Sequence, residues 1–258
     1  MNIRLAVLVL TLIAFPGALQ GQSGFSKGGS RMGQASVESG GPNTVTPSGL
    51  RPAYPGEARC PEIASPYGSR TRYDGSLRPM WALGGGYHGG IDISLPEDVP
   101  LLALAAGTVA AKGEGGMLEG IYLWLKHAPE DTGLSYWVFS KYQHLLVPSE
   151  LEVGAKVALG QVVARSGKTG TVGGKHYGMA GYPHLHLTTR KSARGDETIT
   201  EGALFDPLVV YHEAGPKGRG PAEPPFPEGT VPIPYATPDG KIAPAGTRVV
   251  WPVACQPK

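Results

Sequence analysis

The chain has almost no excess charge of either sign. Twenty-three Lys and Arg stand against 21 Asp and Glu, a formal net charge of +2 over 258 residues. With no dense Lys/Arg run there is no broad basic field to attract nucleic acid, which excludes that class of partner. Long apolar runs are missing too: the N-terminal stretch from Leu5 to Phe15 is too short to span a bilayer comfortably. Helical patterning is nearly absent, "PSELEVG" (148–154) being the one short helix or turn candidate, and no internal repeat is evident. Cysteine is limited to Cys60 and Cys255, neither of them near the N-terminal apolar stretch, which argues against a lipoprotein anchor there. Met80, Met117 and Met179 form no cofactor pattern and read as packing residues.

What is present is a 41% apolar fraction, enough for a real core, and 39 glycines and 25 prolines, far above ordinary usage. Residues 1–20 place Arg4 before the apolar stretch and Pro16 with small residues after it, the layout of a secretory signal peptide. The expectation is a secreted or periplasmic protein with no stable membrane anchor after signal removal. Residues 21–59, rich in Gly and Ser, read as a flexible linker. In an oxidising compartment the two cysteines predict one disulfide, Cys60 to Cys255. Between them lie short β-type segments punctuated by Gly and Pro: "GGIDISL", "VPLLALAAGTVAA", "GIYLWLKH", "LSYWVFSKYQHLL", "KVALGQVVARSG" and "HLHLTTR". They predict an all-β, mostly antiparallel domain over 60–213. A tail over 214–258 follows, with eleven prolines from Gly215 onward and a closing apolar patch, "TRVVWPVAC".

Seven histidines are few, yet "GYPHLHLTTR" holds two of them, His184 and His186, on one face of a strand. In "GYHGGIDIS", His88 and Asp92 are four apart, where Gly89 and Gly90 followed by Ile91 and Ile93 indicate a loop entering a strand. Two imidazoles and a carboxylate, with one position left for water, are a ligand set suited to a catalytic zinc. His144 closes the aromatic-rich segment "YWVFSKYQH" as a third element. His127 reads as a hairpin-edge residue and His176 and His212 as solvated loop residues. Trp81, Trp124 and Trp137 read as core or rim packing, with Trp81 near enough to the His88 loop to line a groove.

In this order, His88-x-x-x-Asp92, Tyr142-x-His144-Leu145 and His184-Leu185-His186 resemble the lysostaphin/LytM-type zinc metallopeptidases of the M23 family. "SPYGSR", "GIDISLPEDVPLLALAAGTV", "VGAKVALGQVVARSGKTG" and "FDPL" (205–208) resemble the family's opening strand, core strands, approach to the His-x-His strand and close. The resemblance covers about residues 60–210. It implies an antiparallel sheet or open sandwich, the duplicated hybrid motif, with long loops forming a groove. It further implies one Zn2+ per chain held by His88, Asp92 and His186, with His144 and His184 off the metal beside the bound water and scissile carbonyl. Which of these two acts as base stays open. The implied substrate is the peptide part of peptidoglycan, a stem-peptide cross-link or an interpeptide bridge. The alternatives are a catalytically silent zinc-binding wall-recognition or regulatory module, and a secreted protease for Gly-rich proteins. Two stretches depart from the pattern. "TVGGKHYGMAGYP" (171–183) is longer than the usual turn, and 73–88 is rich in Gly and aromatics; both are expected to form walls of the groove.

Overall fold

The computed structural model describes residues 44–80, 85–171, 181–215 and 227–258. In chain order its elements are β1 (Arg51–Ala53), β2 (Ala58–Arg59), β3 (Ile63–Ser65), β4 (Ile91–Ser94), β5 (Pro100–Leu102), β6 (Gly107–Glu114) and β7 (Ile121–His127). A helical turn α1 (Pro129–Thr132) leads to β8 (Trp137–Gln143), β9 (Lys156–Val157), β10 (Val162–Arg165), β11 (His184–Ser192) and β12 (Ala203–Phe205). Helix α2 (Pro207–Ala214) precedes four short strands, β13 (Thr230–Pro232), β14 (Tyr235–Ala236), β15 (Ile242–Ala243) and β16 (Gln256–Pro257).

Eight strands form one antiparallel sheet in the order β3-β4-β11-β8-β7-β6-β9, with β12 pairing the second half of β11. Alternation decides which side chains enter the core. Ile91 and Ile93 of β4, Leu185 and Leu187 of β11, Tyr142 of β8 and Leu123 and Leu125 of β7 are fully buried on one face. The opposite face carries Asp92, His186 and Gln143 as cross-strand partners. Tyr142 reaches through the core, where its hydroxyl donates to the Leu102 carbonyl and accepts from the Leu104 amide, both at 2.9 Å. "VPLLALAAGTVAA" splits into β5 and β6, and "KVALGQVVARSG" into β9 and β10, because β5 and β10 pair with each other in a separate small sheet.

"PSELEVG" takes its turn alternative, and the helices lie elsewhere: α1 opens with Pro129, and α2 starts at "DPL", where Asp206 caps the Leu208 amide at 2.9 Å and Pro207 fits the first turn. Residues 44–59, expected to be linker, belong to the folded region. β1 pairs in parallel with β13, Val45 is buried, and Tyr54 meets Trp251 edge to face at 5.9 Å. These few apolar residues find their partner in the C-terminal tail, which the local composition of 21–59 does not reveal. The tail is core material. Trp251 is fully buried, packs against Tyr211 and donates its indole N–H to the Pro61 carbonyl at 3.0 Å, and Val249, Val250 and Val253 are buried beside it. Its prolines restrict pairing to two- and three-residue strands at sheet edges.

Among the described residues no helix is long and apolar enough to cross a membrane. Residues 1–43, with the expected export signal and most of the expected linker, lie outside the described residues, as do Trp81, His176 and Met179. His212 sits exposed on α2 rather than in a loop. His127, at the end of β7, is wholly buried. Nδ1 donates to the Ala106 carbonyl at 2.7 Å, so Nε2 accepts from the Ser140 hydroxyl at 2.8 Å.

Cys60 and Cys255 are bonded, closing a loop of 195 residues and tying β2 and the start of the sheet to the tail. A loop that long restricts the unfolded chain by about 5 kcal/mol in the chain-entropy model. Paired Cys60→Ser and Cys255→Ser substitutions are therefore expected to lower unfolding free energy by about 2–5 kcal/mol, read by urea unfolding. A change below about 0.5 kcal/mol would contradict this.

Burial lowers the His127 pKa to about 4 from 6.5, despite the opposing hydrogen bond to Ala106. Above pH 6.5 both folded and unfolded states hold this ring neutral. Between 6.5 and about 4 only the unfolded state takes up the proton, so acid destabilises the fold by up to about 3 kcal/mol from this residue. The expected outcome is that stability falls less steeply across this window in His127→Gln than in the unsubstituted protein, measured by denaturant unfolding at a series of pH values. Parallel pH dependences would show that the buried ring does not contribute.

Candidate metal centre

Strand register assembles the site. β11 lies between β4 and β8, and His186 stands directly opposite Asp92 on one side and Gln143 on the other. Asp92 in turn faces Ser65 of β3, and Gln143 faces Tyr122 of β7. His88 reaches the same point from the loop before β4. Gly90 makes the approach possible: a Cβ there would meet the Leu187 carbonyl oxygen at 2.3 Å and His186 Nε2 at 2.8 Å, so only glycine fits.

The three donors form a tight triangle. His186 Nδ1 is 2.7 Å from Asp92 Oδ1, His88 Nε2 is 3.1 Å from the same oxygen, and the two ring nitrogens are 3.0 Å apart. A tetrahedral zinc at about 2.0–2.1 Å from each donor sets donor–donor separations of about 3.3 Å, so the triangle would open by only a few tenths of an ångström. The residues fit the metal. His88, Asp92 and His186 are also the His/Cys/Asp/Glu group able to hold a metal ion among the described residues.

Proton bookkeeping points the same way. His88 Nδ1 faces the Pro66 carbonyl at 3.0 Å, and a carbonyl only accepts, so Nδ1 carries the hydrogen and Nε2 is the nitrogen turned to the triangle. His144 Nδ1 is held in the same way by the Thr169 carbonyl at 2.8 Å, and His184 Nδ1 by the Tyr182 carbonyl at 2.9 Å. His186 Nε2 meets the Thr188 hydroxyl at 3.0 Å, a partner that accepts the ring N–H when Nδ1 serves as ligand. Imidazole nitrogens gathered on a carboxylate, each able to present a lone pair, are a donor set that a cation can bridge.

The charge states agree. Burial lowers the His186 pKa to about 4, although Asp92 opposes it. Burial likewise lowers His144, reinforced by His184 and His186, and lowers His184 against the pull of Asp92. Burial alone would raise Asp92, but His88 and the His186 hydrogen bond outweigh it and hold the carboxyl well below its ordinary range. Arg78 Nη2 also contacts Asp92 Oδ2 at 3.3 Å.

His144 and His184 stand beside the triangle, with ring centres 4.6 Å apart. The nearest His184 nitrogen, Nε2, is 3.6 Å from Asp92 Oδ1, farther than either His88 or His186. His144 follows β8 with φ +63°, a left-handed conformation that a residue with a side chain adopts only when its surroundings impose it. All five residues singled out in the sequence thus meet around a cavity of about 330 Å³. Tyr73, Arg78, Pro79 and Tyr87 of the Gly- and aromatic-rich stretch line it, as do Thr171 and Tyr182 at the two ends of the long 171–183 segment, whose middle lies outside the described residues. Met117 lines the cavity with 57% of its surface exposed and Met80 is 65% exposed, so these two are not packing residues. Sequence reasoning missed Arg78, Lys141 and Tyr182. Only the two-residue offset of Tyr182 from His184, on the same side of the strand line, hinted at a place in the site.

Comparison with known proteins gives the same picture. Residues 86–199 match the sequence model of peptidase family M23. A Haemophilus influenzae protein described as an "Uncharacterized metalloprotease" is 30% identical over 142 residues, 54% of this chain, and the chain spans about a quarter (24%) of that relative's length. Among solved structures, the catalytic domain of the antimicrobial peptidase lysostaphin from Staphylococcus simulans is 22% identical, covering 56% of this chain and 86% of that one, with a TM-score of 0.40. A prophage-encoded M23 protein of Enterococcus faecalis is 23% identical, covering 61% and 95%, also with a TM-score of 0.40. Over residues 86–199 the chain is thus similar to peptidase family M23.

Proposed function

We propose that this protein is an exported zinc endopeptidase that hydrolyses peptide bonds in peptidoglycan, in cross-links or stem peptides. The observation that carries the reading is the convergence of three imidazole nitrogens on one carboxylate oxygen, with separations of 2.7–3.6 Å around Asp92 Oδ1. Such an arrangement calls for a cation. His88 Nε2, Asp92 Oδ1 and His186 Nδ1 would hold zinc, leaving its remaining side toward the cavity. When bound, zinc supplies Lewis acidity that polarises a carbonyl and makes water nucleophilic near neutral pH.

The chain's own residues do the rest. His144 and His184 are neutral near pH 7, each with Nδ1 tied to a carbonyl and Nε2 left as an acceptor. One takes the proton of the attacking water and returns it to the departing amine, a contribution of about 10²–10⁴-fold. The other, with Nε2 also left as an acceptor, takes a hydrogen bond from the attacking water and helps to orient it. Pro66, Thr169 and Tyr182 carbonyls fix the ring orientations so that no reorientation is needed during the reaction. Peptidoglycan as substrate rests on the ordered motif resemblance, and export rests on the N-terminal segment and the disulfide.

The test is release of soluble fragments from purified sacculi, with and without chelator. Chelator-sensitive release is expected, and binding without release would favour a silent wall-recognition module. A Gly-rich protein cleaved in preference to sacculi would favour the protease alternative. His144→Ala is expected to keep zinc at one per chain while losing at least about 10²-fold in turnover, whereas His186→Ala loses the metal itself. A fully active His144 variant, or a His186 variant that retains stoichiometric zinc, would refute the assignment of roles.

A further inference from the structure

Beside the donor triangle, two polar atoms have been buried without a partner. Arg78 Nη2 donates to Ser65 Oγ at 2.8 Å and contacts Asp92 Oδ2 at 3.3 Å, but its Nε–H has no acceptor. The Tyr182 hydroxyl has no partner at hydrogen-bond distance either, although the neighbouring Ser94 side chain acts on it electrostatically. Among the described residues these are the two buried side-chain polar atoms left unsatisfied, and both residues line the cavity that holds His184 and Asp92. Buried donors are almost always paired, so two orphans on one cavity call for an acceptor from outside the chain.

The placement says what that acceptor is. Arg78 touches Oδ2 of Asp92, the oxygen turned away from His88 and His186, which both face Oδ1. The orphan pair therefore stands to one side of the reacting centre, where a substituent of the substrate would lie rather than the scissile carbonyl. Tyr182 is held there by stacking: its ring lies parallel to His184 at 4.5 Å and Tyr73 covers it at 3.8 Å. A guanidinium and a phenol present two donors, one of them charged, which matches the two oxygens of a carboxylate. Arg72 adds a second guanidinium to the same cavity.

Building on the peptidase reading above, we propose that Arg78 and Tyr182 form a subsite for a free carboxylate on the peptide substrate, next to the scissile bond. The preferred substrates are then peptides that carry an acidic group at that point rather than neutral chains. Neither residue is a metal donor, and both belong to the stretches that depart from the family pattern.

The experiment compares two synthetic peptides, identical except that one carries a carboxylate and the other a carboxamide beside the scissile bond, with the full-length zinc-loaded protein. The carboxylate peptide is expected to show about tenfold higher kcat/KM, the difference residing in KM. Tyr182→Phe, which keeps the ring stack, and Arg78→Met should each abolish most of that preference, with Tyr182→Phe keeping full zinc content. Equal loss of kcat on both peptides would mean that the pair acts on the reacting carbonyl, and an unchanged preference would mean that it binds nothing; either overturns the proposal. If neither peptide is cleaved, the peptidase reading itself fails, and calorimetric binding of the same two peptides still decides the subsite. About tenfold weaker binding of the carboxylate peptide to Tyr182→Phe supports it, and equal binding refutes it.

Discussion

The pairing of His186 with Asp92 across β11 and β4 is the contact on which the site depends. Side chains alternate along a strand, so a slip of one residue would send His186 into the core and bring Leu185 or Leu187 to the surface. The register is fixed from the other face: Ile91, Ile93, Leu185 and Leu187 are fully buried, and their fit leaves only one alignment of the two strands. From that alignment a row follows across five strands, Ser65, Asp92, His186, Gln143 and Tyr122. The hydrophobic effect on one side of the sheet thus sets metal-ligand geometry on the other.

Holding several imidazoles and a carboxylate within about 3 Å has an electrostatic cost that the surroundings counter. Burial keeps His144, His184 and His186 uncharged, while the carboxyl of Asp92 remains ionised among them. Carbonyl groups of Pro66, Thr169 and Tyr182 then decide which nitrogen of each ring carries hydrogen. These outer contacts come from backbone in loops, where no side-chain pattern announces them. The left-handed backbone at His144 belongs with them as a local strain accepted to aim a ring.

Stability is organised from the chain ends. The tail places Trp251, Val249 and Val253 into the same core that backs the sheet, and the Cys60–Cys255 bond fastens that arrangement. The segment before residue 60 contributes by docking on the tail: β1 on β13, β2 on β16 and Tyr54 on Trp251. The rigid scaffold that presents the loops is therefore wider than residues 86–199, the stretch that matches family M23.

The β character, the Cys60–Cys255 pair and the grouping of His88, Asp92, His144, His184 and His186 could be read from the chain. The first two rest on local pattern, period-two alternation and cysteine count, and the full grouping of five rests on the ordered motifs that resemble the M23 family. The two short helices were missed because their signals are caps rather than periodicity, Asp206 and Pro207 opening α2 over only eight residues. The boundary near residue 60 was misplaced because Val45 and Tyr54 acquire their role only against residues some 200 positions away. Arg78 could not have been singled out, since a lone arginine in a glycine-rich loop carries no spacing signal, and Tyr182 had only its two-residue offset from His184 to mark it. Sequence by itself determined which donors are available and on which strand faces they lie, because strand period follows from covalent geometry. Tertiary structure alone decided which nitrogen faces the centre, which polar atoms remain unpaired there and what closes the core, because those depend on contacts between segments far apart in the chain.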